Sequence, residues 1–375
     1  MSASYLQDQG YVPQSGFTRI SLRAKVDHSI GKFIKAGLNM AYSNTNQQIY
    51  SGNETTNYSN LFMFSQDIAP IYPIYLYDAN GTPQYNEKGQ RLYDWGETGR
   101  AYAATSNPYG QMMSSQVSTI RDNISSRGYI NFNILPELVV SVNAAYDVFN
   151  TKSNEYQTPI GGDAKNVGGR GYKEFYRTGA LNVNELLDWN HTFAGLHNVH
   201  ILLGHENKKD DFRWMYGHMT QFSDVTNPEF SNAAQYQELD SYTTEYALEG
   251  YFAKGEYNYA DKYYFTASIR RDGSSRFHKD NRWGTFWAIG GSWRLKEEAF
   301  LKDVNWLNNL KVKVSYGTQG NDHLLDDDGN DIIHVYSDLY KVNRVDGSAA
   351  FSKWLRGNPD LTWEKSRNFN AGFEA

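Results

Sequence analysis

Apolar and polar residues alternate one by one through much of this sequence, and this period of two constrains the fold more than any other feature. Successive side chains of a β-strand point to opposite faces of the sheet, so the pattern predicts strands with one apolar and one polar face. The helical period is nearly absent, which predicts an all-β, antiparallel protein. The alternating segments are residues 17–27, 33–43, 129–134, 138–148, 262–270, 282–295, 310–317 and 362–374.

The connections between these segments alternate in length. The short ones are residues 28–31, 135–137, 191–197, 260–261 and 296–308, and the long ones are 44–116, 150–172, 208–243, 271–281 and 318–361. Loops of compact domains run to about four to six residues, whereas outer-membrane barrels have short periplasmic turns and long extracellular loops. The pattern therefore predicts a transmembrane β-barrel. We count about eleven strands of crossing length, an odd number that indicates a partial barrel.

Composition excludes several other classes of protein. The chain has no cysteine, which removes disulfide scaffolds, cysteine-ligated metals and thiol catalysis. Mean hydropathy is −0.67, and no apolar run approaches the roughly 18 residues of a spanning helix. A formal charge of −6 without a basic block argues against a nucleic-acid partner. The first residues do not form a signal peptide, so either the mature protein stays inside the cell or the chain is cut from a longer one.

Three motifs near the end of the chain occur together and in order. They are RRDGSSRF (residues 270–277), SYGTQGN (315–321) and NPDLTWE (358–364). With GFTRISLRAKVD, APIYPIYLYDANG and HNVHILLGHE upstream, they make essentially the whole chain resemble the barrel of SusC/RagA-type TonB-dependent transporters, outer-membrane nutrient importers of Bacteroidetes-type bacteria.

The resemblance implies an architecture and a set of partners. Members of that family close a barrel of about 22 strands around a plug, so residues 1–375 are expected to be the central part of such a barrel, with the signal peptide, the plug domain and the C-terminal strands outside them. The implied partners are a SusD-like surface lipoprotein, the TonB complex through the missing N-terminal and plug region, outer-membrane lipid, and a glycan or oligopeptide cargo. Transport would belong to the whole protein.

Strand alternation also predicts which side chains meet lipid and which line the lumen. The lipid-facing set is Tyr263, Phe265, Ala267, Ile269, Trp287, Ile289, Val312 and Val314, and the lumen-facing set is Thr266, Ser268, Arg270, Lys311 and Lys313. Arg270 continues the lumen register towards a plug or cargo. The alternative is that this segment has only a structural role as a turn, because Asp272-Gly273 is a common hairpin sequence.

Aromatic and arginine side chains in the long segments are the candidates for binding cargo or a lid protein, because such side chains dominate recognition surfaces. They are Tyr93, Trp95 and Arg100 in the first loop, Trp214 and Tyr216 in the third, and Trp354 and Arg356 in the last. The alternative is an aromatic girdle at the membrane interface, which we favour for Trp287, Trp293 and Trp363.

Sites for chemistry do not stand out from this composition. The acidic run at residues 326–331 fails the EF-hand template, because Val335 would fall where glutamate is required. Strand alternation separates His200 from His197 and His205, so a shared metal is not expected. We therefore predict no catalytic residues, no metal and no cofactor. A soluble all-β glycan-binding or adhesive module, or a β-sheet hydrolase, remains the alternative to a transporter barrel.

Overall fold

The computed structural model describes residues 1–48, 69–96, 107–162, 164–325, 329, 331–346 and 348–375. Its strands are β1 (Ser2–Gln9), β2 (Gly16–Ile30), β3 (Ile34–Gln48), β4 (Gln116–Leu135), β5 (Leu138–Gln157), β6 (Arg170–Phe193), β7 (His197–Phe222), β8 (Ala233–Tyr259), β9 (Tyr263–Ser274), β10 (Trp283–Arg294), β11 (Lys311–Asn321), β12 (Leu339–Val345), β13 (Ser348–Leu355) and β14 (Glu364–Glu374). Two short helices, α1 (Pro108–Ser114) and α2 (Ala299–Lys302), lie in connections. Within the described ranges, none of the helices is long and apolar enough to cross a membrane.

Twelve of these strands form one antiparallel sheet. Each strand pairs with the next along the chain from β1 to β11, and β11 then pairs with β14. The other two, β12 and β13, form a separate hairpin inside the connection from β11 to β14. The prediction of an all-β antiparallel fold is confirmed, with twelve strands in place of about eleven. The added strand is β1, which is exposed on both faces and therefore has no clear alternation to detect.

Register pairing confirms that the alternating residues form two consistent faces. Directly paired residues lie on the same face of an antiparallel sheet. Trp287 pairs with Ile269, and Ile289 pairs with both Ala267 and Tyr316, so these side chains share the apolar face. Their neighbours occupy the opposite, polar face: Arg270 pairs with Phe286, Ser268 with Ala288, Thr266 with Gly290, Lys313 with Ser292 and Lys311 with Arg294.

Strands β6, β7 and β8 are much longer than the sequence predicts. They contain 24, 26 and 27 residues, against the roughly 9–11 that cross a bilayer. On β7 the apolar face consists of Val199, Ile201 and Leu203. The next residue on that face is His205, whose Nδ1 lies 2.8 Å from Glu185 Oε2, so the face becomes polar there. We call the apolar face between the short turns and this polar row the apolar band.

The predicted loop at residues 208–243 is therefore wrong. Most of it is strand, and only residues 223–232 connect β7 to β8. Beyond the apolar band both faces of these strands carry polar groups, so the alternation of hydropathy weakens although the backbone remains extended.

The short connections are confirmed on one side of the sheet. Two or three residues join β2 to β3, β4 to β5, β6 to β7 and β8 to β9. In the last of these, Ala260 and Asp261 adopt left-handed conformations with φ of 50° and 56°, as tight hairpin turns require. The connection from β10 to β11 is longer and contains α2.

A small hydrophobic cluster joins the long connections to the polar face of β10. Phe277 lies before β10, Val335 follows β11, and both are buried with Phe286 and Trp363. The Trp363 ring lies 5.3 Å from Phe286 and 5.9 Å from Phe277. The girdle interpretation of Trp363 is therefore wrong, because this side chain packs inside the protein.

Candidate functional site

Aromatic side chains from three strands lie together on the polar face beyond the apolar band. Trp214 of β7 pairs with Tyr176 of β6 and with Tyr242 of β8. One step further from the band Tyr216 pairs with Glu174 and Asp240, and the next step pairs His218 with Tyr172 and Glu238. We call this surface the aromatic wall; its members are Tyr172, Glu174, Tyr176, Phe212, Trp214, Tyr216, His218 and Tyr242.

The rings of the aromatic wall are packed against one another. Trp214 and Tyr216 have nearly parallel planes, 4° apart, with centroids separated by 5.9 Å. Tyr242 lies 5.2 Å from Trp214, and Tyr172 lies 6.4 Å from Tyr216 and 4.4 Å from His218. Such mutual contacts restrict the ring orientations, so the wall is a preorganised aromatic surface.

Glu174 orients the centre of the wall. The Trp214 indole Nε1 donates a hydrogen bond of 2.6 Å to Glu174 Oε1. Burial, together with a hydrogen bond to Glu174, raises the pKa of Tyr176 to about 12, and burial raises the pKa of Tyr216 to about 12. Both phenols are protonated at neutral pH, as phenols at the usual pKa near 10 also are, and Glu174 already accepts a hydrogen bond from Tyr176.

The charge of the aromatic wall is negative. Four carboxylates share its polar face, and Arg170 pairs with Thr220 at its far edge. The carboxylates are Glu155, Glu174, Glu238 and Asp240. Glu238 and Asp240 are exposed, whereas Glu155 Oε1 accepts a hydrogen bond of 2.8 Å from Gln157 Nε2. The wall is thus aromatic, acidic and rich in hydrogen-bonding groups.

A second polar network lies on the same face of β9. Arg270 Nη2 donates to Glu206 Oε2 at 2.7 Å, and Arg270 Nε donates to Asp272 Oδ1 at 2.6 Å. Asn182 Nδ2 donates to Glu206 Oε1 at 2.9 Å, which extends the network to β6. Arg270 is therefore held by neighbouring strands. The predicted turn at Asp272-Gly273 is wrong, because both residues lie in β9 and pair with Gly284 and Trp283 of β10.

Arg276, two residues after the end of β9, anchors the connection that follows β11. Its guanidinium is 6% exposed and forms an ion pair with Asp331, with Nη2 2.6 Å from Oδ2. Asp322 accepts hydrogen bonds from the Tyr246 hydroxyl at 2.9 Å and the Ser274 hydroxyl at 2.7 Å, and it lies 3.7 Å from Arg276 Nε. We call these five residues the Arg276 cluster.

Sequence comparison assigns this architecture to a family. The family model described as TonB dependent receptor-like, beta-barrel matches residues 45–374. The chain belongs to this family of receptor β-barrels. TonB-dependent receptor P39 of Formosa agariphila is 29% identical over 391 residues, covering 100% of this chain and 33% of P39. TonB-dependent receptor SusC of Bacteroides thetaiotaomicron is 39% identical over 148 residues, covering 38% of this chain and 14% of SusC.

Structural comparison agrees with this receptor barrel. The RagAB peptide importer in its closed-closed state matches with a TM-score of 0.78 at 22% identity, covering 99% of this chain and 40% of that chain. At this identity the likeness concerns the fold. The chain spans about a third of the length of curated relatives such as P39. Membership in the family favours the transmembrane barrel over the soluble all-β module.

The predicted binding residues of this receptor chain lie in three different settings. Trp214 and Tyr216 belong to strand β7 and not to a loop, where they form the centre of the aromatic wall. The sequence did contain a signal for this arrangement, because aromatic residues recur at every second position from 212 to 218. The wall residues that sequence analysis missed are Tyr172, Glu174, Tyr176, Phe212, His218 and Tyr242.

The first long loop buries its tryptophan. Trp95 is 6% exposed and packs on Gly161 between β5 and β6, where a Cβ atom would lie 1.9 Å from the indole ring. Tyr93 is half-buried and stacks on Tyr75 with centroids 5.4 Å apart. These contacts hold the first long loop against the connection between β5 and β6, so the Trp95 ring is not at the surface. Arg100 lies outside the described residues.

The hairpin of β12 and β13 carries the last two predicted residues. Trp354 is 48% exposed, with the Lys341 ammonium 5.1 Å above its ring, and Arg356 is exposed directly after the hairpin. Phe351 and Val342 form a cross-strand pair and are also exposed. The hairpin therefore presents an apolar, basic surface beside the large sheet.

Most of the acidic loop lies outside the described residues, and the histidines contact carboxylates on opposite faces of the sheet. Residues 326–328 and 330 lie outside the described residues, and Asp331 is paired with Arg276. His200 lies between Asp188 and Glu256 on the polar face, with Nδ1 2.9 Å from Glu256 Oε2, whereas His205 contacts Glu185 on the apolar face.

Proposed function

We propose that this chain is the central part of an outer-membrane receptor that imports oligomeric nutrients, with TonB supplying energy through regions outside residues 1–375. The aromatic wall is the observation that carries this proposal. It lies on the polar face, beyond the apolar band and on the side of the long connections, where a cargo entering a barrel would first meet the wall. Membership in the receptor family supports the same role, that of a transporter and not an enzyme.

The proposed topology follows from the two faces of the sheet. The apolar face, including Phe265, Ile269 and Ile289, meets lipid, and the polar face with Thr266 and Ser268 lines the lumen. The long connections then lie outside the cell and the short turns lie in the periplasm. This orientation places the aromatic wall and the β12–β13 hairpin on the extracellular side.

Cysteine labelling tests this topology. We expect Ser352→Cys in β13 to react with a membrane-impermeant maleimide on intact cells, and Glu137→Cys in the β4–β5 turn to react only after the outer membrane is opened. Both positions are exposed, and residues 1–375 contain no cysteine, so labelling of the unsubstituted receptor measures the background from the rest of the protein. Labelling of Glu137→Cys on intact cells with protection of Ser352→Cys would reverse the topology.

The exposed hairpin supports a contact with a SusD-like surface lipoprotein. Exposed aromatic and arginine side chains concentrate binding energy, and Phe351, Trp354 and Arg356 supply three of them. A two-stranded hairpin is also marginally stable in water by itself, so packing against a partner would stabilise it. We propose that the lipoprotein covers this side of the barrel as a lid.

Replacing residues 339–355 in the full-length receptor by a short glycine-serine link should abolish co-purification of the lipoprotein. The main sheet should remain folded, because β12 and β13 form no ladder with it. Heat-modifiable mobility on semi-native gels reports the folded barrel. The matched control is Thr82→Ala in the first long connection, which is outside the hairpin and should leave co-purification intact. Normal co-purification without the hairpin would remove this segment from the contact.

A further inference from the structure

We propose that a groove on the apolar face of β5 to β9 binds an acyl chain of an outer-leaflet lipid and that Arg271 binds the phosphate group of the same lipid. The outer-leaflet position rests on the topology proposed above. The groove has a volume of about 600 Å³ and lies on the opposite face of the sheet from the aromatic wall. Its apolar lining consists of Val140, Leu187, Leu203, Ala253 and Ile269.

The depth of the groove comes from small residues of β8 between larger ones of β7 and β9. Ala253 pairs with Leu203 on one side and with Ile269 on the other. Leu203 and Ile269 are 45% and 51% exposed, so they form the two ridges of the groove. Gly255 is the next residue of β8 on this face towards the short turn, and a Cβ atom there would meet nothing within 4 Å. An acyl chain lying along β8 would cover this apolar surface.

A row of polar side chains closes the groove at the end away from the short turns. Its members pair successively across β6, β7, β8 and β9, and they are Glu185, His205, Tyr251 and Arg271. Tyr263, at the turn, and Arg271 are eight residues apart on β9, which is about 27 Å along a strand and roughly 20 Å along the membrane normal at the usual tilt. The apolar surface of a membrane barrel is about 25 Å tall, so this row lies near the level of the lipid headgroups.

The two carboxylates beside the groove are occupied by other partners. Glu185 Oε2 lies 2.8 Å from His205 Nδ1, and Glu249 Oε1 lies 3.5 Å from His205 Nε2. The Tyr251 hydroxyl also donates a hydrogen bond of 2.7 Å to Glu249 Oε1. Both acids are therefore associated with the histidine of β7 and not with the arginine of β9.

Arg271 is the cation at the end of the groove without a counter-ion. It is exposed and forms no ion pair with any residue that the structure describes. Its guanidinium lies 5.5 Å from the Trp283 ring, a contact that leaves the hydrogen-bond donors of the guanidinium available. A guanidinium binds a phosphate through two parallel hydrogen bonds. An anionic lipid headgroup therefore complements Arg271 while its acyl chain occupies the apolar groove.

Native mass spectrometry of the full-length receptor in detergent tests the charge preference. The probes are dioleoyl phosphatidylglycerol, which is anionic, and dioleoyl phosphatidylcholine, which has the same chains and a zwitterionic headgroup. We expect the receptor to retain phosphatidylglycerol in preference to phosphatidylcholine. Arg271→Met should lower this preference about fivefold, as expected for the loss of one cation near an anionic headgroup, and Arg271→Lys should keep most of it.

Lys209→Met is the matched control for charge. It removes one positive charge from the same face, but Lys209 lies beyond the polar row, where its Nζ is 3.3 Å from Glu245 Oε2. The lipid preference of this variant should equal that of the parent. Equal retention of the two lipids by the parent, an unchanged preference in Arg271→Met, or an equal loss in Lys209→Met would overturn the proposal.

Filling the groove tests the acyl-chain contact. Ala253→Phe should reduce the retention of both lipids at least about fivefold, because each buried methylene group of a lipid chain contributes to binding. Ala371→Phe makes the same change on the apolar face of β14 and should leave retention unchanged. The heat-modifiable gel shift reports that each variant is folded. Unchanged retention in Ala253→Phe, or a receptor dimer that this variant dissociates, would overturn the proposal, the second result by making another receptor copy the occupant.

Failure of the lipid site and failure of the proposed function give different results. Lipid retention in detergent involves neither TonB nor the lumen, so equal retention of the two lipids leaves the importer in place. Labelling of Glu137→Cys on intact cells would instead reverse the topology and overturn the outer-leaflet position, even if the receptor still preferred phosphatidylglycerol.

Discussion

Val314→Arg in the full-length receptor is expected to destabilise the folded barrel by about 2–4 kcal/mol, because it places a charge on the apolar face. Val314 pairs with Gly291 and Ala371 and follows Val312 away from the turn. Val312 itself pairs with Trp293 and Phe373 next to the short turn, so Val314 lies deeper in the apolar band. Unfolding by denaturant in detergent or lipid, followed by the heat-modifiable gel shift, measures the effect.

Lys311→Glu on the same strand is the matched control. Lys311 lies on the polar face, with its ammonium 5.0 Å above the Tyr264 ring, and the proposed topology puts this face towards the water of the lumen. We expect a stability change within about 1 kcal/mol. Normal assembly of Val314→Arg together with failure of Lys311→Glu would mean that the two faces are assigned the wrong way round.

Arg276→Met is expected to lower the free energy of local opening of the connection after β11 by about 3 kcal/mol. The change leaves Asp322 and Asp331 without their cation in a largely buried setting, and breaking such a pair on one side costs more than the pair itself contributes. Asp331 is about a third exposed, so the expected destabilisation is at the lower end of the range for broken buried ion pairs. Faster amide exchange at residues 331–337 and in β9, with faster proteolysis there, would report the loss.

Arg271→Met, three residues before the end of β9, provides the control. Arg271 lies on the opposite face, with its guanidinium 5.5 Å from the Trp283 ring, and should change exchange at residues 331–337 little. Equal protection in Arg276→Met and in the parent protein would show that the hydrophobic cluster around Phe277 and Trp363 holds the connection without the ion pair.

The pH dependence of the Arg276 cluster has a defined sign. The hydrogen bond from Arg276 lowers the pKa of Asp331 below its usual 3.8, despite the opposing effect of burial. A carboxyl group with a lowered folded-state pKa stabilises the fold above its unfolded pKa and loses that contribution as the pH falls through the folded value. The connection should therefore stay protected at neutral pH and open only in acid below 3.8.

The two faces of the strands could be predicted from the sequence because a sheet with one apolar and one polar face requires a period of two. Phe265 and Ile269 on one face, and Thr266 and Ser268 on the other, appear in the structure as the alternation predicts. The same signal weakens in residues 208–243, where water can reach both faces, so the strands there were interpreted as a loop. The aromatic period from 212 to 218 was the remaining indication of strand.

The role of each tryptophan could not be read from its position in the chain. Trp95 was predicted to present its ring in a loop, yet it is buried on Gly161, and Trp363 was assigned to the interface, yet it packs on Phe286. Burial of these rings depends on which loops fold against each other. Their partners lie 66 and 77 residues away in sequence, beyond the reach of any local pattern.

The sequence by itself determined the fold class and the two faces of each membrane-crossing strand, because these follow from local alternation and from the contrast between short and long connections. Only the tertiary structure decided which residues form a site. The register of β6, β7 and β8 brings Tyr176, Trp214 and Tyr242 into one row, and loop folding brings Asp331 to Arg276. Alternation states which way a side chain points, whereas its neighbours across the sheet depend on strand register and on contacts between segments that are distant in sequence.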